Sequence, residues 1–170
     1  YFDGGGLAQS CIISNNQSGT QGGGAYLYAG GRMTRCQIVN NRSSSGGGAL
    51  FSSSGGQITD CLILRNKASS GGGLFSFFGG TARNCLLVHN VASNGMSGSG
   101  GGADLTYGGT LESCTVADNF SQSWGGGLIR GNSSTVMNSI VYFNVSGNTP
   151  GSNYYDSASL DYPFCATAPL

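Results

Sequence analysis

Residues 46–66 read GGGALFSSSGGQITDCLILRN, and residues 71–90 read GGGLFSFFGGTARNCLLVHN. The second stretch repeats the first: a glycine triplet, a short apolar run, a glycine pair, then a cysteine five residues before an asparagine. The same frame recurs along the chain. Its cysteine and asparagine pairs are Cys11/Asn16, Cys36/Asn41, Cys61/Asn66, Cys85/Asn90 and Cys114/Asn119, and in Ser139/Asn144 a serine replaces the thiol. Successive cysteine positions lie 25, 25, 24, 29 and 25 residues apart, and Cys165 follows 26 residues later. A fixed period of this size marks a solenoid, in which each repeat stacks on the one before.

The segments between glycines run five to nine residues, too short for independent helices. Their apolar residues alternate with period two, as in Cys36-Gln37-Ile38, Cys61-Leu62-Ile63 and Cys85-Leu86-Leu87. Each repeat therefore reads as one short strand after the glycine triplet, a second strand through the cysteine, and a polar turn after the asparagine. Glycine marks the corners, where positive φ and close backbone approach are needed. The pattern predicts an all-β chain: a right-handed, single-stranded parallel β-helix of about six to seven coils. Each coil climbs about 4.8 Å, which makes a rod about 30 Å long. Repeats fill residues 1–144, and residues 145–170 form an irregular final coil packing on the solenoid.

Vertical register makes columns of equivalent residues. Cys11, Cys36, Cys61, Cys85 and Cys114 form an internal column, with Cys165 in the irregular segment. Leu27, Phe51 and Leu105, and Ile38, Ile63, Leu87, Val116 and Val141, are the other core columns. Ser76 and Arg130 interrupt the first of these, so its facing stays open. Asn16, Asn41, Asn66, Asn90, Asn119 and Asn144 form a ladder whose amides bond up and down the stack, satisfying polar groups at a buried turn. Six cysteines also fit three disulfides in a secreted chain. Neighbours in an in-register column aim side by side, which favours free buried thiols over that bond.

Only 8% of residues are charged and the formal net charge is zero, so the basic stripe of a nucleic-acid binder is missing. No apolar run is long enough to cross a membrane as a helix. The chain opens on Tyr1-Phe2-Asp3, without the basic and apolar segments of a signal peptide. It opens midway through a coil and closes five residues after Cys165. The ends are expected to be covered by further chain or by other copies, because bare solenoid ends expose core and strand edges.

The Gly-Gly-Gly-Ala of residues 22–25, 46–49 and 100–103, each followed by a strand ending in asparagine, resembles the glycine-glycine-alanine and x-x-Asn repeats of polymorphic outer-membrane proteins and related bacterial surface proteins. The resemblance runs from Gly4 to Asn144, although this chain places cysteine where those repeats more often place phenylalanine. Residues 138–170 look like the closing portion of such arrays in large bacterial exported proteins. The resemblance implies a right-handed parallel β-helix, exported to the cell exterior, serving as adhesin, autotransporter passenger or surface-layer material.

No motif for catalysis stands out. Polysaccharide lyases and glycosidases on parallel β-helices need clustered carboxylates, often with calcium. The acidic residues Asp3, Asp60, Asp104, Glu112, Asp118, Asp156 and Asp161 form no pair recurring on adjacent coils. His89 is the sole histidine and reads as solvent-facing. The glycine triplets lack the Lys-Ser/Thr of a phosphate loop. Neither cofactor nor metal is expected. Sequons fall at Asn16, Asn41, Asn119, Asn132 and Asn144, and only Asn132 lies off the ladder, which makes it the candidate glycosylation site.

Alternation fails at Leu62 and Leu64, Leu86 and Val88, and Ile140 and Tyr142, where outward positions should be polar. Tyr26, Tyr28, Phe75, Phe77, Phe78 and Tyr107 form an aromatic set. Either these residues make an interface or glycan-contact surface, or the C-terminal segment with Tyr154, Tyr155, Tyr162 and Phe164 covers them. The expected role is that of a non-enzymatic structural solenoid, extracellular or on the cell surface. It either assembles end to end with copies of itself into a fibre or belongs to a larger surface protein. A glycan-binding adhesin segment and a polysaccharide-active enzyme are the alternatives.

Overall fold

The computed structural model describes residues 1–93, 98–131, 133–147, 153–156 and 166–168. Every described strand pairs in parallel with its equivalents one coil away, and the described residues contain no helix. Three sheets result. The first stacks Phe2–Asp3, Ala25–Tyr28, Ala49–Thr59, Leu74–Arg83, Ala103–Tyr107, Leu128–Arg130 and Tyr154–Asp156, with the shorter strands Leu7–Gln9, Arg32–Thr34, Gly109–Glu112 and Ser134–Met137 alongside. The second stacks Ile12–Ser14, Gln37–Val39, Leu62–Leu64, Leu86–Val88, Thr115–Ala117, Ile140–Tyr142 and Ala166–Ala168. The third is narrower: Lys67–Ala68, Val91–Ala92, Phe120–Ser121 and Val145–Ser146. The chain is an all-β parallel solenoid of about six turns.

Register holds the columns as read from the sequence. Leu27 pairs with Phe51 and Phe51 with Ser76, while Leu105 pairs with Arg130 and Arg130 with Asp156. Ser76 and Arg130 are both buried, so the column faces inward despite its two polar members. Ile38, Ile63, Leu87, Val116 and Val141 line the second sheet's inner face, all fully buried. Pleating sends alternate residues to opposite faces, so one register fixes every facing at once.

The cysteines do not lie inside a strand, as the alternation suggested. Each stands at a corner between two strands, immediately after a residue in left-handed conformation: Ser10, Arg35, Asp60, Asn84 and Ser113 precede Cys11, Cys36, Cys61, Cys85 and Cys114. A second left-handed residue precedes each ladder asparagine, at Asn15, Asn40, Arg65, His89, Asp118 and Phe143. Two such corners per coil turn the chain from sheet to sheet. The glycine triplet makes the remaining corner, and its members have different duties. Gly46 takes φ 62°. Gly48 has an ordinary φ, but a Cβ there would meet the Gly73 carbonyl at 2.5 Å and Asn66 Nδ2 at 3.0 Å. The third glycine is thus the floor on which the asparagine of the same turn rests. In the segment 145–170, Val145–Ser146, Tyr154–Asp156 and Ala166–Ala168 each join a sheet in parallel.

Candidate functional site

The asparagine ladder is the most regular array of polar side chains in the molecule. In each rung the backbone N–H and the Nδ2 of one asparagine both donate to Oδ1 of the asparagine one coil further on. Asn41 reaches Asn66 at 2.9 and 3.0 Å, Asn66 reaches Asn90 at 2.9 and 3.1 Å, and Asn90 reaches Asn119 at 2.8 and 3.0 Å. Asn16 donates to Asn41, and Asn119 to Asn144, in the same way. The second Nδ2 hydrogen binds a carbonyl in the preceding coil, such as Ile38 O for Asn66 at 2.8 Å and Ile63 O for Asn90 at 2.9 Å. The bonds between asparagines therefore have a direction: each donates to the next coil toward the C-terminus and accepts from the coil toward the N-terminus. Asn41 to Asn144 are buried, while Asn16 is exposed on the first coil.

The thiol column runs parallel to the ladder. Cys11, Cys36, Cys61, Cys85 and Cys114 are free, and all but Cys11 are buried. Each buried thiol donates to the carbonyl two residues earlier, at 3.1–3.3 Å: Thr34, Thr59, Arg83 and Glu112. Only a protonated sulfur can donate, so a thiol that makes this bond does so in its neutral form. Burial pushes the Cys36 thiol up from its ordinary range, and Cys85 is raised by its hydrogen bonds to Cys114 and Cys61 and then by burial, whereas the hydrogen bond with Cys85 pulls Cys61 down to about 7 and lowers Cys114 as well. At the sixth position Ser139 Oγ makes the same bond, to Met137 O at 2.8 Å, and accepts from the Cys114 N–H at 3.1 Å. Burial denies a reagent access to these four sulfurs. In a Cys165→Ser background, a thiol-specific disulfide reagent is expected to titrate Cys11 alone in the native protein, and Cys36, Cys61, Cys85 and Cys114 only after denaturation. Reaction of these four at the rate of Cys11 would show that the column is not internal.

The outer surface carries two apolar features. On the first sheet, Phe77, Phe78 and Tyr107 form an edge-to-face cluster with centroids 4.4 Å apart for Phe77 and Phe78 and 5.0 Å for Phe77 and Tyr107. Phe78 and Tyr107 are 57% and 50% exposed. Tyr28 is exposed too, whereas Tyr26 lies half-buried between Tyr1 and Tyr28. In the described part of the C-terminal segment Tyr155 lies against Trp124, tilted by 37° at 5.0 Å, with Trp124 still 37% exposed, and the Phe78 cluster stays open. On the second sheet, Leu62 and Leu64 face outward and are half-buried beside Leu86 and Val88, and Ile140 and Tyr142 stand in the same two columns two coils beyond these. Asn132, Cys165, Tyr162 and Phe164 lie outside the described residues.

Charged groups are scattered. Arg83 Nη2 meets Glu112 Oε2 at 2.7 Å on the surface, and Asn84 Nδ2 donates to Asp60 Oδ1 at 3.2 Å. His89 is exposed on a left-handed corner. Asp104 is buried, and burial pushes its carboxyl up. The Thr106 N–H and the Ser99 hydroxyl, at 3.0 and 3.2 Å, partly offset that shift. Among the described residues no group of three His, Cys, Asp or Glu side chains could hold a metal ion.

The family model described as a right handed beta helix region matches residues 1–149. The chain belongs to the right-handed β-helix family. Comparison with curated proteins and with solved structures finds no match. Membership gives this β-helix its handedness and agrees with its parallel sheets.

Three features of the β-helix escaped the sequence reading. Asn153 Oδ1 accepts from the Asn144 N–H at 3.0 Å and from Asn144 Nδ2 at 3.2 Å, so it supplies one more rung. Its backbone stands in the third-glycine position, since its carbonyl accepts from Gly127 and Leu128 as Gly127 accepts from Gly102 and Ala103. Its spacing of 26 residues from Gly127 was the available signal. Arg130 Nη1 lies 3.8 Å from Asp156 Oδ2 inside the core column. Phe78 adopts φ 66°, which turns its ring outward, and nothing in a phenylalanine announces that conformation.

Proposed function

We propose that this β-helix is a non-enzymatic structural rod at the cell exterior that stacks end to end with further copies. The directional ladder carries this reading. Asn16 presents its Oδ1 on the first coil, beside the strand edges of Phe2–Asp3, Leu7–Gln9 and Ile12–Ser14, and every later rung shows how such an acceptor is filled: by the N–H and Nδ2 of another asparagine. Charge supports the same polarity. Residues 1–75 hold Arg32, Arg35, Arg42, Arg65 and Lys67 against Asp3 and Asp60. Residues 76–170 hold Arg83 and Arg130 against Asp104, Glu112, Asp118, Asp156 and Asp161. A positive first half therefore meets a negative second half when copies follow one another, and head-to-tail contacts of this kind propagate without closing. The exterior location rests on the low charge, the Ser- and Asn-rich turns and the surface-protein resemblance. Electron microscopy over a concentration series is expected to show filaments much longer than the single rod of about 30 Å. Monodisperse short rods at every concentration would refute stacking.

The open Phe77, Phe78 and Tyr107 cluster favours a second reading, in which the rod presents an aromatic platform to surface glycans. Glycan-array binding that is lost in Phe78→Ser and Tyr107→Ser would establish it, and an array blank for the native protein would remove it.

A further inference from the structure

The outer face of the second sheet is a stripe of apolar columns. One column runs Ile12, Gln37, Leu62, Leu86, Thr115 and Ile140, and its neighbour runs Ser14, Val39, Leu64, Val88, Ala117 and Tyr142. Leu86 and Ile140 are 41% and 48% exposed. Next to this stripe stands the left-handed corner column, in which Arg65, His89 and Asp118 are exposed on three consecutive coils. Arg65 and Asp118 thus flank the coil of Leu86 and His89, one coil to either side.

We infer that two copies pair side by side and antiparallel through this face, with Arg65 of each against Asp118 of the other. A two-fold axis along the strand Leu86–Val88 produces this pairing. It keeps each column opposite the same column of the second copy and reverses the order of coils. Leu86 then meets Leu86, Leu62 meets Thr115, Leu64 meets Ala117, and Arg65 meets Asp118. The interface is isologous, as closed dimers require. A parallel arrangement needs its two-fold axis along the rod, which exchanges the columns, so that Leu62 meets Leu64 and Leu86 meets Val88, and Arg65 and Asp118 no longer meet. The uneven charge of the two halves of the chain points the same way, because only the antiparallel arrangement lays the basic half on the acidic half.

The face is small. Strands of three residues are about 10 Å wide, and six of them rise about 29 Å, so each copy contributes roughly 300 Å². Stable dimers bury about 800 Å² per partner. Pairing between isolated rods is therefore weak, and it becomes persistent where copies are already arrayed and the contact repeats along the array. This pairing uses the outer face of the second sheet and not the strand edges at the ends, so its test reads it separately from end-to-end stacking.

Leu86→Cys in a Cys11→Ser, Cys165→Ser background, treated with a bis-maleimide spanning about 10 Å, the separation of packed sheets, is expected to give covalent dimers. Thr110→Cys, on the outer face of the first sheet, is expected to give at least tenfold fewer. Arg65→Asp alone, or Asp118→Arg alone, is expected to cut the Leu86→Cys dimer about tenfold, and the two together to restore it. Both replacements are mild for the fold, since each puts at its corner a residue type that another coil already carries there. Sedimentation velocity of the wild type, Arg65→Asp and the double swap at rising concentration reads the same pairing without any introduced cysteine. Equal cross-linking at Thr110, swaps without effect, or a single loss that the double swap does not restore would overturn the inference. So would a concentration-independent monomer that binds anionic vesicles through Leu86, which would assign the face to lipid.

Discussion

Asn66→Ala is expected to destabilise the β-helix by about 3–5 kcal/mol, because it leaves two buried donors of Asn41 without an acceptor and opens a void above Gly48. For a chain of this length the melting midpoint falls by about 10 °C. In a solenoid each coil contacts only its neighbours, so the damage is local: the joint between the second and third coils opens first. Amide exchange should therefore accelerate around Asn41 and Ile63 before it does around Val116. Asn16→Ala provides the comparison, since Asn16 is exposed and belongs to one rung only. Its cost is expected to stay below about 1.5 kcal/mol. Equal costs for the two variants, measured by urea unfolding, would mean that the ladder does not hold the coils together.

Asn66→Asp separates hydrogen bonding from packing. The side chain keeps its shape, and Oδ1 still accepts from Asn41. The second oxygen replaces Nδ2, however, and so faces two acceptors, Ile38 O and Asn90 Oδ1. Ionised, it is repelled by both; protonated, it can donate to one of them. Burial and these neighbours raise the carboxyl's pKa in the folded state above its unfolded value. A raised folded pKa means that the native state binds more protons, so the variant gains stability relative to wild type as the pH falls, and loses it as the pH rises through the folded pKa. A pH-independent deficit would place the cost in shape rather than in hydrogen bonding.

The period was legible because stacking forces chemically equal residues onto equal positions. Cysteine, asparagine and the third glycine touch their own kind or one another across each coil, so none can vary alone. Gly48, Asn66 and Gly73 show this, since a side chain on the first would collide with the other two. Corners were less legible. The residue before each cysteine is Ser10, Arg35, Asp60, Asn84 or Ser113, which share a left-handed φ but little chemistry. All five are exposed, and although Asn84 donates to Asp60, no burial restricts which residue type stands there. Ser76 and Arg130 were ambiguous because facing was judged from polarity, whereas register decides it: pairing with Phe51 and Leu105 sends both inward. The outward aromatic set was found as a group, but exposed Phe78 could be told from buried Phe75 only once the left-handed φ of Phe78 was known.

Arg130 and Asp156 form the second site at which a single substitution should be costly. Their side chains are 3% and 9% exposed, and they occupy a column otherwise filled by Leu27, Phe51, Ser76 and Leu105. Arg130 Nη2 also donates to Ser134 O at 3.3 Å. Asp156→Ala leaves a guanidinium inside the core opposite a methyl group, and the expected cost is about 3–5 kcal/mol. Replacing both residues removes the two desolvation penalties together. Arg130→Leu combined with Asp156→Leu continues the leucine column and is expected to return to wild-type stability or exceed it, so the two changes should be strongly non-additive. Stability is one half of the argument and register the other. The strand Tyr154–Asp156 pairs with Leu128–Arg130 so that the two charges meet, and a slip of one residue would bring Tyr155 to Arg130 and send Asp156 out of the column. The double leucine variant should consequently be as stable as wild type but less specific in that last pairing. The expected sign is faster amide exchange in Tyr154–Asp156 at unchanged global stability. If Asp156→Ala costs less than about 1 kcal/mol and the two single changes simply add, the pair is not a buried ionic contact and contributes neither stability nor register.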